Sequence, residues 1–357
     1  MSRPLHVVEI ADSRFPISEP FAGGMQALTW HLIEGLRTRG VALSVFAGPG
    51  SDPRLGARLI TSRPAELSAA ARQDVSMGPE EWLEQHHAYL QLMLGLARRR
   101  DIDVVHNNSL HHLPIAMAEM VGVPVLTTLH TPPTPWLEPA VRLADPGSAR
   151  YAAVSRHTAA SWAHVADPVV VPNGVDARRW TYGEGGPDLV WSGRIAPEKA
   201  PHLAIDIARA AGRRIRLAGP VTDPVYWETR IRPRLGDDVE HVGHLHQREL
   251  ATLLGASALC LVTPSWDEPY GLVAAEALAC GTPVLAFARG GIPEVVGESC
   301  ARLVDADDVP AAAALVTEAA ALDRRAARDH AVRHCSVDVM VDAYLALLDG
   351  ARMASAA

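Results

Sequence analysis

Lysine is almost absent from this chain. Of its 33 basic residues, 32 are arginine and the single exception is Lys199. An arginine excess beside abundant alanine reflects codon drift in a GC-rich genome. The one ammonium that survives points to a task guanidinium performs badly, a compact point charge on a flexible stem. Cysteine is scarce too. Cys260, Cys280, Cys300 and Cys335 form no Cys-x-x-Cys pair and sit in apolar flanks, so they read as buried core thiols rather than a disulfide framework or a zinc site. No apolar run reaches the roughly 18 residues a membrane span needs. The first apolar run breaks at Glu9 after one basic residue, unlike a secretory signal. Positive charge is lacking overall: a net charge of −8 argues against a nucleic-acid partner and against a polybasic membrane surface. The expectation is a soluble, cytoplasmic protein.

At 357 residues the chain exceeds one ordinary core, so two domains are expected. Leu5 to Ile10, Gly23-Gly24, an apolar-periodic stretch from Met25 to Thr38, Gly40 and a second apolar run form a strand–helix–strand unit, which implies a parallel sheet. A less regular region to about Met77 precedes a helix from about Pro79 to Arg99. Further strands follow at Asp103–His106, Pro124–His130, Tyr151–Ser155 and Val169–Pro172. Residues 173–187 are rich in turn formers and read as a linker. A second series of strands and helices starts at Asp188 and includes a helix from about Val309 to Arg328. The expected domains are therefore 1–172 and 188–336, with 337–357 as a last helix. The cleft between two doubly wound domains is the default place for a ligand.

Two segments carry chemistry. Ser192-Gly193-Arg194-Ile195-Ala196-Pro197-Glu198-Lys199 leaves a strand and enters a helix, so Arg194 and Lys199 place a planar fork and a point charge in one loop. That pair, beside the orphan N–H groups of the following helix, suits a diphosphate. In Asp267-Glu268-Pro269-Tyr270-Gly271-Leu272-Val273-Ala274-Ala275-Glu276, Gly271 lets the backbone pass close to a ligand, and the amides of Leu272 and Val273 open a helix. Glu276 lies on an apolar helix face, where a carboxylate costs energy unless it finds partners. Two carboxylates beside a phosphate site suit vicinal hydroxyls, a ribose for one and a sugar ring for the other.

The Glu268-x7-Glu276 block and Gly193-Arg194-x4-Lys199 resemble the signature of retaining glycosyltransferases of the GT-B fold, family 4 (glycosyl transferases group 1). Gly23-Gly24, Ser155, Val171-Pro-Asn-Gly-Val-Asp176 and Gly290-Gly291-Ile-Pro-Glu294 fall where that family has them, and only residues 50–100 show no match. The resemblance implies an α/β GT-B fold, two Rossmann-like domains facing across a cleft. The first would bind the acceptor, with helix 337–357 packing back on it, and the second would bind a nucleotide-sugar donor. It implies transfer of a hexose-type sugar from a nucleotide-diphosphate sugar, UDP-sugar before GDP-sugar, to a hydroxyl of a small-molecule or glycoconjugate acceptor, with no metal and no other cofactor. Arg194 and Lys199 would hold the diphosphate beside Gly193, Glu276 the ribose, and Glu268 the donor sugar with the amides at Gly271, Leu272 and Val273. Gly24 would let the first loop close over the phosphates, and His130 would touch the sugar near the reacting carbon. The alternatives are a sugar-nucleotide epimerase of the same fold and a catalytically silent sugar-nucleotide-binding subunit or sensor.

Other signals are weaker. Asp101-Ile102-Asp103 matches a metal-binding Asp-x-Asp but stands at the amino edge of a strand, and His241, His244 and His246 lack a completing carboxylate or cysteine. His106, His111 and His112 lie after the Val104-Val105 strand and are expected to face the cleft, where contact with an acceptor is the lesser of two readings, whereas His86 and His87 are expected to be solvated. Trp82, Trp136 and Trp162 are core residues or sugar platforms. Arg98-Arg99-Arg100 reads as a helix C-terminal cap.

Overall fold

The computed structural model describes residues 3–55, 58–145 and 147–356. Short runs rich in Val, Leu and Ile form strands covered by helices, as parallel sheets require. The first sheet contains β1 (His6–Ile10), β2 (Ala42–Phe46), β3 (Arg58–Ile60), β4 (Val104–Asn107), β5 (Val125–Leu129), β6 (Ala149–Ala153) and β7 (Val169–Val170). Its order is β3-β2-β1-β4-β5-β6-β7, and every pairing is parallel. The second contains β8 (Leu189–Ser192), β9 (Ile215–Ala218), β10 (Val239–His241), β11 (Leu259–Val262), β12 (Val284–Phe287) and β13 (Ala301–Val304). Its order is β10-β9-β8-β11-β12-β13, again all parallel. Both are Rossmann-like, and each reverses direction beside its first strand. Ligands bind outside the carboxyl ends of strands at such points.

Four apolar clusters fill the two faces of each sheet. One of them belongs to the end of the chain. The helix Val337–Ala356 lays Met340, Val341, Tyr344 and Leu348 into the core formed by β1, β2 and the helix Gly24–Thr38. Gly35 makes that contact close: a Cβ there would lie 2.5 Å from a methyl of Val341. Arg39 pairs with Asp338 and Asp342 at the rim.

The crossing between the sheets is fixed by hydrogen bonds. The Val175 amide donates to Cys335 O at 2.7 Å, and Arg324 donates to Gly183, Gly255 and Ser257 carbonyls at 2.9 Å. Burial of a guanidinium is satisfied here by carbonyls rather than by a carboxylate.

The helix expected over 309–328 is two helices, Val309–Ala320 and Arg324–His334. Asp323 causes the break: its carboxylate accepts from the Arg325 and Ala326 amides and starts a new helix. In the region 50–100, which shows no match to the family pattern, residues 61–79 form a largely exposed path. The helix Glu80–Leu96 then buries Ala88, Tyr89, Leu92, Met93 and Leu96 against the first sheet. Among the described residues no helix is long and apolar enough to cross a membrane.

Candidate active site

Two adjoining cavities of about 710 and 1970 Å³ lie between the sheets and share walls at Gly23, Gly24, Gly193, Arg194, Leu272 and Val273. Lys199, Glu268, Gly271 and His130 line the larger, and Glu276 lines the smaller. Every residue singled out as a donor contact therefore lines one or both of these adjoining cavities.

Arg194 and Lys199 leave the end of β8. A 3-10 turn, Pro197–Lys199, intervenes before the helix Pro201–Ala210, with Ala200 left-handed at φ 45° and Pro201 at the first helical position. The loop therefore offers side-chain charge with one orphan amide fewer than a direct strand-to-helix turn, because proline has no N–H. Arg194 pairs with Glu198 at 3.1 Å and is partly exposed. Lys199 Nζ donates to Glu268 Oε2 at 2.5 Å and lies 5.2 Å from the Trp266 ring centroid. Trp266 Nε1 donates to the same carboxylate oxygen at 3.1 Å.

Glycines set the backbone of both loops. At Gly219, φ is 143° and a Cβ would stand 1.8 Å from Gly193 O, so the ends of β8 and β9 touch backbone to backbone. At Gly290, φ is 60° and a Cβ would stand 2.1 Å from Glu268 O. The Gly291 amide donates to that same oxygen at 2.7 Å, so the Gly290-Gly291 turn cradles the Glu268 loop.

Gly271 has φ 100° and opens the helix Leu272–Ala279. The Leu272 and Val273 amides find no acceptor among the described residues, which leaves two donors at a positive helix end facing the cavity. One turn on, Glu276 is 8% exposed, and burial pushes its carboxyl up to about 8. It makes no side-chain hydrogen bond among the described residues, so the helix holds a nearly buried carboxylate without the partners it needs.

From the first domain, His130 follows β5. It is 9% exposed, its Nε2 meets Asn108 Oδ1 at 3.0 Å, and burial with the nearby His106 pulls its pKa down to about 3. The imidazole is neutral at ordinary pH. Gly23 and Gly24 begin the helix Gly24–Thr38, and a Cβ at Gly24 would come 3.3 Å from Leu272 Cδ2.

The two halves are clasped on both sides of the cavity. Ser155 Oγ donates to Pro269 O at 2.6 Å, and the Arg156 and His157 amides donate to the Glu294 carboxylate at 2.9 and 2.8 Å. On the other side His244 Nε2 donates to Phe21 O at 3.0 Å, and the Gln247 amide donates to Glu19 at 3.2 Å.

Several expectations are corrected. His106 does not reach the cleft: it is fully buried, bonded to Glu9 at 3.0 Å and Thr128 at 2.9 Å. Its strand is central, so its side chain meets the neighbouring strands before any solvent. His86 is not a solvated side chain. It stacks on Trp82 at 5.2 Å and on His112 at 5.8 Å, and His112 continues to Trp136 at 5.9 Å. His87 is half-buried and bonded to Gln91. His111 packs on Tyr89 at 4.2 Å. The tryptophans divide: Trp162 is fully buried and donates to Thr131 O, whereas Trp82 and Trp136 are exposed beside the imidazoles.

The remaining signals have ordinary partners. Asp101 pairs with Arg99, and Asp103 accepts from Arg3 and the His6 amide. His241 bonds Gly219 O, and His246 caps the helix Gln247–Gly255 with Glu249. Arg100 donates to Ala97 O at a helix end. All four cysteines are free and buried. Residues missed at sequence level are Asn108, Trp266, Ser155's contact to Pro269 and Gly219. Gly219 was the accessible one, since Ala218-Gly219-Pro220 follows a strand just as Ser192-Gly193 does.

Comparisons with known proteins show the family and the fold. A family model described as Glycosyltransferase Family 4 matches residues 22–179, and one described as Glycosyl transferases group 1 matches residues 176–331. A D-inositol 3-phosphate glycosyltransferase of Stackebrandtia nassauensis is 30% identical over 92% of this chain and 88% of its own length. A glycogen synthase of Mycobacterium tuberculosis is 31% identical over 65% of this chain, which spans 64% of that relative's length. Among solved structures, Anabaena HepE in complex with UDP-glucose superposes with a TM-score of 0.75 at 15% identity, covering 97% of this chain and 100% of that one.

Proposed function

This chain belongs to the group 1, family 4 glycosyltransferases of the GT-B fold, and on that premise we propose that it moves a hexose-type sugar from a nucleotide-diphosphate sugar to a hydroxyl acceptor, with retention and without a metal. The observation that carries the donor assignment is Glu276, a nearly buried carboxylate with no protein partner, set one turn inside a helix whose first amides are also free. Ribose hydroxyls donate to such a carboxylate, while phosphate oxygens accept from the Leu272 and Val273 amides, Arg194 and Lys199. UDP is favoured as the base carrier, and HepE's complex with UDP-glucose supports that choice by shared fold.

Charge stabilisation then accounts for the chemistry. When the diphosphate arrives, Lys199 exchanges Glu268 for a phosphate oxygen, and the released Glu268 turns to the sugar hydroxyls. As the glycosidic bond breaks, negative charge grows on the leaving phosphate, where Arg194, Lys199 and two amides already point. The acceptor hydroxyl approaches on the same face and gives its proton to that phosphate, so no protein nucleophile is needed. Neutral His130 orients the sugar, and the Gly24 loop closes over the phosphates.

The test is a thermal-shift panel of UDP, GDP, ADP and dTDP and their common sugar conjugates, followed by NMR of the product's anomeric proton. A UDP-sugar that raises Tm and yields product with the donor's anomeric configuration supports the reading. An inverted product would remove retention, and response to no nucleotide would remove the donor assignment.

A further inference from the structure

The first domain contains a buried hydrogen-bond chain that fixes which nitrogen of His130 faces the cavity. Its centre is Glu9 on β1, fully buried and level with His106 on β4. Glu9 Oε1 lies 3.0 Å from His106 Nδ1, and Glu9 Oε2 accepts from Asn108 Nδ2 at 3.0 Å. A carboxylate only accepts, so both neighbours must donate to it. Asn108 Nδ2 also lies 3.3 Å from His106 Nδ1.

The arm toward His130 is then determined outward. On one side, Asn108 has given its amide nitrogen to Glu9, so its carbonyl Oδ1 faces His130 Nε2 at 3.0 Å. A carbonyl accepts; His130 Nε2 must carry the proton, and Nδ1 is left with a lone pair. On the other side, His106 Nε2 lies 2.9 Å from Thr128 Oγ1, and Thr128 Oγ1 donates to Tyr344 Oη at 3.2 Å. Tyr344 belongs to the C-terminal helix and is fully buried.

We propose that Glu9 and Asn108 are positioning residues that hold His130 as the Nε2–H tautomer and thereby make its cavity-facing nitrogen an obligate acceptor. The ligand atom opposite must be a hydrogen donor, which a sugar hydroxyl is and a phosphate oxygen is not. The neutral tautomer therefore helps sort the two ends of the donor, diphosphate to Arg194 and Lys199, sugar to His130. The sorting step rests on the transferase reading above; the tautomer does not.

The experiment is long-range 1H–15N NMR of histidine-labelled full-length protein without donor, with a His130→Gln variant used only to assign the His130 signals. The expected result is a neutral His130 with Nε2 protonated and Nδ1 bare across pH 6 to 8. A proton on Nδ1, or on both nitrogens, overturns the proposal irrespective of any activity. Two variants extend it. Glu9→Gln places a donor where only acceptors stood, so either His106 or His130 must exchange tautomers. Asn108→Ala should release the His130 ring from a single tautomer and lower kcat/KM for the donor roughly tenfold, the worth of one oriented hydrogen bond in a dry site. An Asn108→Ala protein with a lower Tm but an unchanged His130 spectrum and unchanged kcat/KM would show a merely structural role and refute the assignment. If no donor is turned over by wild type, the tautomer result still decides the Glu9–Asn108 claim, and only the transferase reading falls.

Discussion

Lys199 and Glu268 neutralise one another across the donor cavity, with Nζ 2.5 Å from Oε2 and both side chains largely shielded from solvent. The pair couples the ammonium proposed for the phosphate to the carboxylate proposed for the sugar. Removing either partner therefore has a different signature. Lys199→Ala should weaken UDP binding roughly tenfold or more, because a charge-assisted contact is worth about 1.5–3 kcal/mol. Glu268→Gln should leave Lys199 unpaired, so free UDP should bind as tightly as in wild type or more tightly, while kcat for transfer falls. Isothermal titration with UDP beside steady-state kinetics checks both, and equal weakening of UDP in the two variants would refute the exchange.

Glu276 predicts a conflict between stability and function. Its folded value of about 8 lies above the ordinary 4.5, so the folded protein binds this proton more tightly than the unfolded chain does. The stability contribution is full below about 4.5 and is lost as pH rises toward about 8. Glu276→Gln should then raise the Tm of ligand-free protein at pH 8, by an amount corresponding to roughly 1–3 kcal/mol, and leave it nearly unchanged at pH 5. The same variant should bind UDP more weakly. Melting curves at both pH values, with and without UDP, test the sign.

Binding by the ionised carboxylate adds a proton signature. Ribose hydroxyls stabilise the charged form of Glu276, so its pKa should drop on binding and a proton should leave. UDP affinity should rise between pH 6 and 8, with net proton release in calorimetry run in buffers of different ionisation enthalpy. Proton uptake would contradict the assigned ribose contact.

The convergence of Arg194, Lys199, Glu268 and Glu276 on the cavities was legible in the sequence because its parts are local. Gly193 to Lys199 and Glu268 to Glu276 each span a loop and one helical turn, so spacing alone sets which groups converge. The alternation of apolar runs and helical periods likewise exposed the two sheets. His106 and His86 were misjudged for the opposite reason. Glu9 and His106 are 97 residues apart in sequence and meet only through the β1–β4 register, which no local pattern reveals. The Trp82–His86–His112–Trp136 stack similarly joins a helix to two distant loops. Asp323 could have been read as an N-cap, but the alanine-rich sequence on both sides carried the helical period across it.

Gly219 offers the sharpest separation of backbone from side chain. Its φ of 143° is rarely adopted by other residues, and a Cβ would stand 1.8 Å from the carbonyl oxygen of Gly193, the residue that precedes Arg194. Gly219→Ala must push the β9 end away from β8 or twist the Arg194 loop, since neither contacting atom is a flexible side-chain tip. The expected loss is roughly 2 kcal/mol or more of stability together with weaker UDP binding. Gly212→Ala is the control: it also has positive φ, at 64°, but a Cβ there meets nothing within 4 Å, and it precedes β9 at the strand end opposite the cavity loop. It should lower stability by about 1 kcal/mol through backbone strain and leave UDP affinity intact. Equal UDP affinity in the two variants would mean that the β8–β9 backbone contact does not set the position of Arg194.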